Sequence, residues 1–353
     1  MSQATPPAQP RPPQAPAPPP TPAVPHQKLT LYVGGTLVVL IVLLIILLTS
    51  GPRRAILPFV PKGYSVVQVI DMARYLGGPA YEVLDSCGHP SARALDAIEE
   101  KLGVSFRRQV LLFAQADGNQ IVIGQLRPDQ LRSAFEADLD REEKRINQNR
   151  AKPVQLDARE GHVEGHAYYY CDQEALDLAF ASVGSWMACF GDRSGVQRVL
   201  KVCSGDRESV LRDELFAAAY SPSLARRAFL YRFEKEPGGK ILAQTLAEVL
   251  GPAATDVRAA FFALLAAGKS IEVHATFVAR DAEAAERLQT QLTGDAPGRA
   301  LGELLGASGP PRVTRSGTRV AFAASVGLDR FREIVLKDKQ GQARNLILAL
   351  LAN

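Results

Sequence analysis

Apolar and polar positions divide the chain into one unbroken apolar run and a long series of short periodic segments. The run is 29–50, in which no residue carries a charge. At about 1.5 Å per residue it reaches about 33 Å, the thickness of a hydrocarbon core, and so predicts a single transmembrane helix. A cleavable leader has a shorter apolar region ending in small residues, whereas Gly51-Pro52-Arg53-Arg54 follows here. Beyond it, hydrophobic periodicity predicts strands at 64–70, 109–116 and 120–126. Asp117-Gly118-Asn119 joins the last two as a hairpin. Helices are expected at 91–102, ending before Gly103, and from Pro128, with Leu131, Phe135, Leu139 and Ile146 on one side. Strands near 154–158, 162–170, 178–183 and 186–190 and a helix at 194–202 complete this stretch.

The remainder repeats the order. A strand is expected at 228–233, a helix at 241–265 broken near Gly251-Pro252, a strand at 270–279 and a helix at 281–292. A hairpin over 312–314 and 318–324 turns at Ser316-Gly317, and helices run from 328 to 351. In both stretches a strand leads into an amphipathic helix (120–135 and 271–288), and a hairpin bends at a glycine (154–170 and 313–324). The pattern predicts an α+β domain: two similar halves of antiparallel sheet with helices on one face, at 63–222 and 223–353, after a linker at 51–62.

Residues 1–28 hold 11 of the 24 prolines and no acidic side chain. Pro7, Pro10, Pro13, Pro16, Pro19, Pro22 and Pro25 recur every third residue and would line one edge of a polyproline II rod. With Arg11 inside the series, this disordered tail reads as a docking strip for an aromatic groove or as a semi-rigid spacer. Every acidic side chain, and every basic one except Arg11 and Lys28, lies beyond residue 50, so the domain is nearly neutral. That excludes the basic footprint of a nucleic-acid binder. Flanking charge leans towards a cytoplasmic domain, but large domains after a signal-anchor translocate largely regardless of charge. The expected topology is a cytoplasmic tail and an exported domain.

Gly103-Val104 before a hairpin, Gly124-Gln125-Leu126 leading into a helix, and a hairpin ending in Ala167-Tyr168 together resemble bacterial membrane-anchored or lipoprotein-type domains of unknown function. The resemblance spans about 60–340 on unspecific motifs. It implies an exported α+β domain and carries no catalytic residue.

Chemistry is sparse. Gly268-Lys269-Ser270 lacks the glycine a phosphate-binding loop needs at 263, where Ala263 stands, and 257–267 reads as helix rather than strand. Gly191-Asp192-Arg193-Ser194-Gly195 has the wrong spacing for a nucleophile elbow. His162 and His166, with Glu160, Glu164 and Asp172 nearby, are the metal candidates, although in a strand they would stand about 13 Å apart on one face. Cys87, Cys171, Cys189 and Cys203 match no zinc spacing. Cys189 with Cys203 is the disulfide to test, against four buried thiols. Tyr168, Tyr169, Tyr170 and Trp186 read as sheet-face residues or a ligand platform. No cofactor is implied. The expected function is a non-enzymatic, single-pass membrane-anchored envelope protein whose domain binds a protein partner or supports an assembly. A metal-dependent hydrolase using 162–172, or a transmembrane signal transducer using the tail, are the alternatives.

Overall fold

The structure is a computed structural model describing residues 56–351 apart from 149, 151, 174–175, 237–240, 242–246, 308, 310 and 339–344. The Pro-rich tail, the 29–50 run and residues 51–55 lie outside the described residues. Among the described residues twelve antiparallel strands form one sheet. They are β1 (Val66–Asp71), β2 (Val110–Ala116), β3 (Asn119–Gly124), β4 (Ala158–Val163), β5 (His166–Cys171), β6 (Ala179–Val183), β7 (Met187–Gly191), β8 (Leu230–Lys235), β9 (Val257–Ala267), β10 (Ser270–Ala279), β11 (Arg312–Ser316) and β12 (Arg319–Gly327). Their order across the sheet is β11-β12-β10-β9-β8-β1-β2-β3-β7-β6-β5-β4.

Local chemistry explains many boundaries. At the β2–β3 turn Asp117 and Gly118 both have positive φ, 45° and 88°, as a two-residue hairpin with matching twist requires. Glu164 and Gly165, at 48° and 77°, do the same between β4 and β5. Helices α1 (Met72–Leu76), α2 (Pro79–Ser86) and α3 (Pro90–Leu102) follow β1, and α4 (Pro128–Asn147) follows β3. Proline opens α2, α3 and α4, where its missing N–H costs nothing, and left-handed Gly103 closes α3. Next come α5 (Arg193–Cys203), α6 (Glu214–Ala219) and α7 (Pro222–Ala225), then α8 (Ala247–Leu250) after β8. Helices α9 (Ala282–Thr293) and α10 (Asp295–Leu305) precede β11, and α11 (Leu328–Lys337) and α12 (Leu346–Leu351) end the described chain.

The sheet has a hydrophobic layer on each face. On the front, Ile70, Phe113, Val122, Phe180, Phe262, Phe277 and Phe322 meet α1–α4 and α9–α12 through residues such as Leu84, Leu131, Leu288, Phe331 and Ile347. On the back, Val67, Val69, Ile121, Met187, Cys189, Phe233 and Phe261 meet α5, α6 and the 3-10 turns Leu57–Phe59 and Val210–Arg212. Helices therefore cover both faces, which corrects the expectation of helices on one face. A second correction is that the halves share one continuous sheet: β1 and β8 pair antiparallel, with Gln68 opposite Arg232. From that seam, β1-β2-β3-β7-β6 and β8-β9-β10-β12-β11 run outward in matching order. The first half adds β4–β5 at its edge, so the partner of the β11–β12 hairpin is β6–β7 and not the 154–170 segment.

The membrane-anchored architecture is also corrected. Among the described residues no helix is long and apolar enough to cross a membrane. The longest, α4, has 20 residues but is heavily charged from Asp138 to Arg145. A span needs about 20 predominantly apolar residues. The single-pass localisation and the signal-anchor with an exported (periplasmic) domain are accordingly not retained.

One segment changes identity. Residues 257–267, read as helix, form β9, the longest strand at 11 residues. It lies between β8 and β10 with Ala259–Leu265 all buried. A strand covered on both faces shows no alternation, so its Ala and Leu content looked helical. A strand thus does precede Gly268-Lys269, but these residues form a hairpin turn into β10 where a phosphate-binding loop would open a helix.

Candidate functional site

The back face is covered unequally. In the first half α5 packs Val196, Val199 and Leu200, each fully buried, onto it. Asp192 starts that helix: its carboxylate accepts the Gly195 N–H at 2.7 Å and the Ser194 hydroxyl at 2.6 Å, while Asn119 Nδ2 donates to its other oxygen at 3.1 Å. Burial works to raise the Asp192 carboxyl, but Ser194, Gly195, Asn119 and Arg198 together hold it below the usual value. Helix α11 follows β12 as α5 follows β7, yet it lies on the front, burying Phe331 and Val335. Among the described residues the back of β12 and β11 has no helix packed on it, and that of β10 meets only the border helix α6.

Sequence alternation decides what that bare face shows. Ile271, Val273, Ala275 and Phe277 of β10 point to the front core, so Glu272, His274 and Thr276 point back. Across the ladder His274 stands opposite Ala323, which stands opposite Arg312. Neighbouring rows are Glu272 with Ser325, and Thr276 with Ala321 and Thr314. The corresponding row of the first half is Ile121, Cys189 and Ala181, all buried. A cavity of about 390 Å³ opens over the bare face, lined by Glu272, His274, Gly309, Arg312, Ala323, Ala324 and Ser325.

Its charges are sorted. His274 Nε2 lies 3.1 Å from Glu272 Oε2, and because a carboxylate only accepts, the ring nitrogen is the donor. The exposed Arg312 and Arg319 have no ion pair or side-chain hydrogen bond among the described residues. The floor is small and polar with a cationic rim. Among the described residues no hydrogen bond joins Ser325 to His274.

The candidates singled out in the sequence lie elsewhere. His162 and His166 fall on opposite strands of the β4–β5 hairpin, facing Ala167 and Val163 respectively. Directly opposed residues share a face and successive ones alternate, so the two imidazoles point to opposite sides. His162 is exposed and 3.5 Å from Glu160. Among the described residues no group of three or more His, Cys, Asp or Glu is placed to hold a metal. Cys87, Cys171, Cys189 and Cys203 are free thiols. Cys189 and Cys203 both belong to the back layer, where burial raises the first strongly and the second to about 11.

The tyrosines are occupied by cations of this chain. Tyr168 is buried and accepts from Gln197 Nε2 at 2.7 Å and Arg193 Nε at 3.2 Å. The Arg193 guanidinium also sits 3.8 Å from the Tyr170 ring centre, and that of Arg132 4.6 Å from Tyr169. Trp186 is half in solvent with its ring against Phe59 at 5.1 Å. Sequence reasoning passed over Glu272, His274, Arg312 and Ser325. The available signal was polar alternation in 271–277, which marks a strand with one face in water.

No protein-family model and no curated protein matches this chain. Solved structures of TP0453 are similar in outline. Crystal form III has 11% identity, covering 80% of this chain and 97% of that chain at a TM-score of 0.45. Crystal form IV has 12% identity, covering 81% and 100% at a TM-score of 0.44. A likeness of that degree carries nothing about the site.

Proposed function

We propose that the domain is a non-catalytic binding module that receives an acidic segment of a protein partner on the bare back face of β10, β12 and β11. The observation that carries this reading is the asymmetry between the halves: strands that hold a helix in the first half present small and polar side chains to solvent in the second. Charge chooses the partner's sign. Glu272 is already engaged by the His274 hydrogen bond, whereas Arg312 and Arg319 have no counter-charge among the described residues.

A short fluorescent Glu-rich peptide added to the full chain tests this by anisotropy, with a Lys-rich peptide as control. The expected result is saturable binding of the acidic peptide that weakens as salt rises. Reversing both rim charges (Arg312→Glu with Arg319→Glu) should abolish it. Equal binding of the two peptides, or acidic-peptide binding that survives the reversal, would overturn the assignment.

A further inference from the structure

A second cavity, of about 220 Å³, lies where the two halves meet. Its back-face floor is Val69 and Leu112 of the first half and Tyr231 of the second. The wall comes from the connector between them, with Tyr220, Pro222, Ala225, Arg226 and Ala228, and the mouth from Asp71 and Arg74 at the start of α1. We propose that this cavity is a binding site for a small oxyanion, a carboxylate or phosphate group, held by Arg226 and the hydroxyls of Tyr220 and Tyr231.

Hydrogen-bond accounting supports the assignment. The one carboxylate present, Asp71, is engaged: it accepts the Arg74 N–H at 3.1 Å, and its other oxygen is 3.5 Å from Arg74 Nε. Arg74 Nη1 donates to the Arg226 carbonyl, which ties the mouth to the connector. Three donors then remain without an acceptor among the described residues: the Arg226 guanidinium and the two phenols. A cluster of donors that includes a cation favours an electron-rich, negatively charged ligand, with Asp71 held at the mouth by Arg74.

The phenols are held in place before any ligand arrives. Tyr220 stacks on Phe216 at 4.9 Å and meets Phe261 edge-on at 5.5 Å. Tyr231 lies 5.8 Å from Phe261 and 6.3 Å from Tyr220. Burial, with lesser contributions from Tyr220 and Asp71, holds the Tyr231 phenol well above its usual range. Burial also raises Tyr220, against the opposing Arg226 charge. Both hydroxyls therefore keep their protons and act as donors at neutral pH. Fixed donors lose little freedom on binding, which favours affinity. Apolar contacts from Val69, Leu112, Pro222 and Ala225 leave room for a substituent of only a few carbon atoms.

Titration calorimetry on the full chain tests this with inorganic phosphate, acetate and butyrate as separate arms and glucose as a neutral control. Binding of at least one anion below about 10 mM is expected, with phosphate and the two acids showing which oxyanion fits. Tyr231→Phe keeps the ring packing and Arg226→Gln keeps the length; each should weaken binding about tenfold. Thermal melts of both variants should overlay the parent and show that the fold is intact. Absence of binding by every anion, tighter binding of glucose, or anion binding unchanged in both folded variants would overturn the proposal.

Discussion

The two halves share a strand order and differ in what they do with one helix. In the first, α5 closes the back of β5, β6 and β7 with Val196, Val199 and Leu200. In the second, α11 crosses to the front and packs against α2, leaving Glu272, His274, Ala323 and Ser325 open. The junctions differ by one residue. β7 ends at Gly191, and Asp192 intervenes as the cap before α5, whereas β12 ends at Gly327, which is itself the cap of α11. Because strand side chains alternate with period two, one residue changes the side from which the chain leaves the sheet. The comparison teaches that a binding face can arise by redirecting a covering element, with the sheet beneath it kept.

The strongest test of that comparison acts at the seam both halves share. Arg232 is buried, with Nη2 2.6 Å and Nε 2.7 Å from Glu234 Oε1 and Nη1 donating to Gln68 at 2.9 Å. Removing one member of a buried pair costs about 3–5 kcal/mol, so Arg232→Ala should lower denaturant stability by that amount. A single cooperative transition should persist, since the sheet is continuous; two separated transitions would mean that the halves are independent units.

Next in size is the covered face. Leu200→Ala removes a fully buried side chain from beneath α5 and should cost about 2–5 kcal/mol in chemical denaturation. The equivalent step on the bare face is Ser325→Ala, smaller than all the others. It should stay within about 0.5 kcal/mol of the parent in the same measurement. A large loss there would mean that the face is covered after all.

Between these extremes lies α6, whose start sets the border of the bare region. Asp213 accepts the N–H groups of Leu215 and Phe216 and receives Lys235 Nζ at 2.9 Å. Asp213→Ala should cost about 1–2 kcal/mol in thermal melts, the range of a lost helix cap. Burial raises the Asp213 carboxyl, but the Lys235 and backbone hydrogen bonds outweigh it and hold the group below its usual value. A carboxyl depressed in the folded state stabilises fully above its unfolded value of about 3.9, and that contribution is lost as pH falls through the folded value. Melting temperature should therefore drop on acidification below about pH 4, and the drop should be shallower in the variant.

Much of this architecture was legible along the chain, by two signals. Alternation marked β10, whose back meets water, and short apolar runs bounded by turn residues marked β1, β2 and β3, which are buried on both faces; paired turn residues at Asp117-Gly118 marked a hairpin; Pro128 and Gly103 marked helix ends. Legibility failed at β9, also buried on both faces. β9 has no polar positions to set a period, and its alanines and leucines fit a helix equally well. It failed again for His162 and His166, because a turn at Glu164-Gly165 inside an expected single strand sends the two imidazoles to opposite faces.

Residue spacing by itself determined most local elements, the helix ends at Pro128 and Gly103 and the α+β class, because those depend on contacts within a few residues. Only the tertiary structure decided that the halves join through Gln68 and Arg232, that α11 leaves the back face open, and that Tyr220, Arg226 and Tyr231 meet Val69 and Leu112 in one cavity. These features bring together residues far apart in the chain, and no periodicity encodes which face of a sheet a distant helix will choose.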